Sequence, residues 1–180
     1  MTAEPALTLA QFEIASPALE AAGIHVSLLD GQIVRKFSSS AARGQCLTEL
    51  ITGLLTHVRA HNLGGVLVSQ TTAFLFLPSH CPEPDIAYLS QRRKPTRQYC
   101  IADAWPEFIL QVMDDSLPDS EVARRQRDRA TWVARGAVVY DLYPEERLVR
   151  VYDSEGERVE REDLTFAALP GLRMPLADLW

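Results

Sequence analysis

The segment EFILQVM, residues 107–113, decides the fold class. Apart from Glu107 and Gln111 it is apolar throughout. A strand with one wet face would alternate; a continuous apolar run of this length fits a strand covered on both faces. Two helices are legible on either side of it in the chain. Before it, Leu47, Leu50, Ile51, Leu54, Leu55 and Val58 recur at helical spacing and form one apolar stripe, stopped by Gly64-Gly65. After it, residues 119–135 carry Val122, Ala123, Ala130 and Val133, with Ser116-x-x-Asp119 as a candidate cap and Gly136 as the stop.

The other strands follow from punctuation. Asp30-Gly31 separates two apolar runs, and both residues tolerate the positive φ of a tight turn, so a hairpin of strands at about 24–29 and 32–37 is expected. GVLVSQ (65–70), AFLFL (73–77) and DIAYLS (85–90) read as further strands. VVYDLY (138–143) and LVRVYD (148–153) form a hairpin around Pro144–Arg147, and the acidic piece 153–163 reads as a solvated tip. Residues 5–22 show a weak helical pattern interrupted at Ser16-Pro17, and residues 91–106 form a loop bearing Arg92, Arg93, Lys94 and Arg97. Six or more strands with two or three helices, not strictly alternating, define a single α+β domain with a mixed sheet over residues 1–180.

The chain has 180 residues, with 18 Lys+Arg against 24 Asp+Glu, a formal net charge of −6. That balance excludes a binder whose whole surface is basic, although not a local basic patch. Cys46, Cys81 and Cys100 include no C-x-x-C pair, which argues against a disulfide scaffold or a structural zinc site. The uncharged stretch between Arg59 and Glu83 is broken by polar residues and glycines, so no membrane span is expected. The first Lys or Arg is Arg35, so no basic signal-peptide head precedes it, and a cytoplasmic location is the expectation.

Chemistry centres on Asp85, at the start of a predicted strand, and Gln111, a polar residue inside an apolar one. A carboxylate at one strand end beside a polar group on a neighbour is the skeleton of a hydrolytic metal site. Mg²⁺ or Mn²⁺ takes hard oxygen ligands there, activates water and neutralises phosphate charge. The arginines of 119–136 (Arg124, Arg125, Arg127, Arg129, Arg135) read as a solvated helical face.

Taken in order, HVSLLDGQIV (25–34), RGQ (43–45), LGGV…AFLFL (63–77), PDIAYLS (84–90), PEFILQVMDDS (106–116), WVARGA (132–137), VVYDLYPEERLVRVY (138–152) and LPGLRMPLADLW (169–180) resemble the Uma-type restriction endonucleases of the PD-(D/E)XK superfamily. The resemblance runs from about residue 6 to the end. It implies a restriction-endonuclease-like mixed sheet flanked by helices, a divalent metal held by Asp85 and Gln111, and hydrolysis of DNA.

Several positions depart from that family. Ser27 stands where a Glu is usual, Gln111 replaces the strand acid, and Asp128 stands at the lysine position four residues before the aromatic Trp132. A neutral amide brings no charge to a metal, and an Asp inverts the sign facing a phosphate. Against that pattern Asp114 and Asp115 are the candidate substitute ligands, and Arg125 or Arg129 is the candidate phosphate clamp. Two functions follow: a metal-dependent endonuclease worked by Asp85, Gln111 and Arg129, weak or inactive; or a non-catalytic nuclease-fold protein for binding or assembly. The first admits DNA as a partner, and both admit a homodimer.

Overall fold

The computed structural model describes residues 6–36, 40–69, 72–90, 100–102, 104–115 and 117–180. Residues 91–99 of the expected loop 91–106 and the proposed cap Ser116 lie outside the described residues, and Cys100–Ile101 of that loop instead form a short strand. In chain order the elements are α1 (Leu9–Ala21), β1 (Val26–Leu29), β2 (Gln32–Arg35), α2 (Ala41–Ala60), β3 (Val66–Ser69), β4 (Ala73–Phe74), β5 (Ile86–Leu89), β6 (Cys100–Ile101), β7 (Phe108–Val112), α3 (Asp119–Ala134), β8 (Val138–Tyr143), β9 (Leu148–Asp153), β10 (Gly156–Glu160), β11 (Asp163–Thr165) and β12 (Arg173–Pro175). This is the α+β mixed-sheet architecture expected from the sequence.

The central sheet has six strands in the order β10-β9-β8-β7-β5-β3. All neighbours are antiparallel except β7 and β8, which run parallel with Gln111 opposite Asp141. A parallel pair needs a crossover, and α3 supplies it. β7 is buried at every position, as its apolar run requires.

Each face of the sheet carries its own core. Cys46, Leu47, Leu50, Leu54 and Val58 of α2 pack with Ile86, Phe108, Leu110 and Tyr140 on one face. Trp132 of α3 packs with Ala87, Leu89, Ile109 and Val139 on the other. A third cluster joins α1 to the β1–β2 hairpin through Phe12, Val26 and Leu28. The hairpin turn is as expected, with Asp30 at φ 50° and Gly31 at φ 76°.

Three expectations are corrected. Pro17 lies inside a continuous α1, which opens instead on a capping box between Thr8 and Gln11. α3 opens at Asp119 with Pro118 at the N-cap position, which makes no side-chain cap hydrogen bond. Residues 156–160 are not merely a tip: Gly-Glu-Arg-Val-Glu forms β10, the solvent-exposed edge of the main sheet, where charged side chains suit a strand that must not recruit another.

Candidate functional site

The β5–β7 ladder pairs Ile86 with Leu110, so one further step sets Asp85 across from Gln111. The Val112 N–H donates to Asp85 Oδ2 at 2.8 Å and fixes that step. The β7–β8 register then places Asp141 beside Gln111. Side chains alternate along strands, and Ala87, Ile109 and Val139 face α3. Asp85, Gln111 and Asp141 therefore form a polar row on that same face. All three are buried.

Two guanidinium groups close on Asp85. Arg43, in the first turn of α2, donates to Oδ1 at 2.6 Å and Oδ2 at 2.5 Å. Arg125, from α3, donates to Oδ2 at 2.8 Å and Oδ1 at 3.2 Å. Arg43 also donates to the Val112 carbonyl and, at 3.4 Å, to Asp114 Oδ1. Ser40 holds this end in place: its oxygen accepts from the Arg43 N–H at 3.0 Å, and its hydroxyl donates to Asp114 Oδ2 at 2.9 Å. On the other side Arg125 Nε donates to Glu121 at 2.7 Å. Burial pushes the Asp85 carboxyl up, but Arg125, Arg43 and the Val112 N–H outweigh it and hold it down at about 2.

The remaining candidates are distributed around this centre. Gln111 leaves its Oε1 buried with no hydrogen-bond partner. Arg129 donates to Asp141 Oδ2 and lies over the Tyr152 ring, its guanidinium carbon 3.9 Å from the ring centroid. Asp141 Oδ1 has no hydrogen-bond partner. Burial raises the Asp141 carboxyl to about 6, with Arg129 and Arg125 pulling the other way. Asp128 is buried and accepts from Arg124 at 2.8 Å. The His80 ring lies between two carboxylates, with Nδ1 3.0 Å from Asp30 Oδ1 and Nε2 3.0 Å from Asp128 Oδ1. Asp115 is exposed, whereas Asp114 is buried. The arginine-rich face of α3 is thus not simply solvated, because Arg125 is buried against Asp85.

Three contributors escape sequence reasoning. Arg43 falls at i−4 from Leu47 and i−7 from Leu50, on the apolar stripe of α2; a charge on a buried stripe was the available signal. Asp141 is a lone acid inside VVYDLY, a signal of the same kind. Glu83, two residues before Asp85, accepts from Ser27 at 3.0 Å and pairs with Lys36 of the β2 end at 2.5 Å. An ammonium group therefore does stand near this end of the sheet, delivered by the hairpin and not by α3.

A hard divalent cation wants several oxygens with unspent negative charge. Asp85, Asp114 and the Val112 carbonyl are donors of the right type, but each is already hydrogen-bonded to Arg43, and Asp85 to Arg125 as well. Among the described residues the carboxylates of Asp85 and Asp114 thus already face permanent cations before any ion arrives. Among the described residues no group of three His, Cys, Asp or Glu is arranged to hold a metal. With both arginines seated, these residues do not fit a divalent ion.

Comparison with known proteins agrees with the architecture. A crystal structure of "a putative nuclease" from Anabaena variabilis superposes with a TM-score of 0.72 at 16% identity, covering 96% of this chain and 97% of that one. No curated protein is significantly similar in sequence. Among the described residues no helix is long and apolar enough to cross a membrane. The sequence profile of the Uma2 family, described as "Putative restriction endonuclease", matches residues 9–179, nearly the whole sequence, and the chain belongs to that family.

Proposed function

We propose that this chain keeps the nuclease fold while lacking metal-dependent cleavage of DNA, and that the fold serves binding or assembly. The observation that carries this reading is the double guanidinium pairing of Asp85. A carboxylate whose two oxygens already meet two cations has no charge left to organise a metal, and Arg stays protonated, so it does not accept the proton of an attacking water. Gln111 adds a neutral oxygen, and Asp128, at the lysine position, is spent on His80 and Arg124. Arg129, the candidate clamp, is committed to Asp141. The family makes DNA the polymer to test first. Cys46, a buried free thiol, suits the reducing cytoplasm proposed for the chain.

The test is a supercoiled plasmid incubated with purified protein and millimolar Mg²⁺ or Mn²⁺. Nicking no faster than in protein-free buffer is expected. Ion-dependent nicking that disappears in Asp85→Asn would overturn the reading.

A further inference from the structure

We infer that Arg43 is a resident counter-ion seated in a latent divalent-cation site, so that the site exists but is plugged by the chain's own guanidinium. This rests on the reading above, that the pocket takes no metal as it stands. The seat is defined by what meets at one group. Asp85 Oδ1 and Oδ2, Asp114 Oδ1 and the Val112 carbonyl all lie in hydrogen-bond reach of the Arg43 guanidinium. They are oxygens only, two carboxylates and a backbone carbonyl, from three places in the chain: the start of β5, the end of β7 and the residues just after it. That donor set is the chemistry a hard cation such as Mn²⁺ or Mg²⁺ selects.

Two further features mark the guanidinium as a substitute for an ion. The Arg43 side chain is almost wholly buried, yet it grows from the first turn of α2, where the Ser40 hydroxyl anchors both its backbone N–H and Asp114. The oxygen cradle is therefore held by Ser40 and Val112 independently of the arginine. Beside it Gln111 Oε1 is buried without a partner, a neutral acceptor that an ion's bound water could satisfy. Arg125 would remain on the far side of Asp85 after Arg43 leaves, through its own contacts with Asp85 and Glu121. Removing Arg43 shifts the local balance by one negative charge without dismantling the cradle.

The experiment is calorimetric titration of Mn²⁺ alone into the full-length wild type, Arg43→Ala and Arg43→Met, with thermal melting in parallel. The Met variant keeps the unbranched apolar stem and loses only the charged head. The wild type should give no saturable heat and an unmoved melting temperature. The variants should bind one Mn²⁺ and melt higher with the ion than without it. Adding Asp85→Asn to either variant should weaken binding by more than about tenfold. Folded variants that bind no better than wild type would overturn the inference while leaving the proposed function intact. Saturable binding by the wild type, unchanged on removing Arg43, would overturn it together with the proposed function's claim that Asp85 has no charge left for a metal. If a variant is unfolded in metal-free buffer, refolding on Mn²⁺ addition supports the latent seat, and continued unfolding at millimolar ion contradicts it.

Discussion

Asp85 and Asp141 are both buried carboxylates on one sheet face, and their environments drive them apart. Asp85 meets two guanidiniums and a backbone N–H and is held at about 2. Asp141 meets one, is the more costly to ionise, and sits at about 6. A carboxyl raised in the folded state takes up a proton on folding between the unfolded value, about 4, and 6. Its stabilising protonation is complete below that window and is lost as pH rises through 6. Asp141→Asn cannot titrate. Relative to wild type the variant should therefore gain about 1 kcal/mol of stability at pH 8 compared with pH 5, read from urea unfolding at the two pH values. An equal difference at both pH values would show that Asp141 is ionised throughout.

At the scale of elements, the site is built by the N-terminal turn of α2 reaching round the end of the sheet to meet α3 across β5 and β7. Ser40 links these parts, because one hydroxyl oxygen caps α2 and also engages Asp114. Ser40→Ala removes both roles. The loss should be about 1–2 kcal/mol, the upper part of the range for an N-cap, measured as a fall in the urea midpoint at constant slope. A loss within a few tenths would mean that Asp114 and the helix end find water instead. Helix α2, both hairpins and the two-faced strand β7 were legible, since periodicity and turn chemistry are written locally in the residues. Strand β10 was not. Its GERVE sequence is charged because it is an edge, and the same composition describes a loop.

For the whole molecule, the sequence placed Asp85 and Gln111 at one site, and the ladder register sets them across from one another. What occupies that site was not legible. Arg43 lies 42 positions from Asp85, and Arg125 lies 40. No spacing rule connects a helix start to a strand start at such distances; only the folded sheet does so. Read in isolation, the arginines of α3 looked like a solvated face, and the stripe of α2 was read from Leu47 onward, without Arg43. Fold class followed from patterns that each element carries alone, whereas site electrostatics depend on three elements meeting.

The account's central claim is that the arginines supply the positive charge at Asp85. It is tested most directly by anomalous diffraction at the manganese edge from wild-type crystals soaked in millimolar Mn²⁺. The account predicts both guanidiniums in place on Asp85 with no anomalous peak beside that carboxylate. A well-occupied Mn²⁺ bonded to Asp85, with Arg43 swung away, would contradict it.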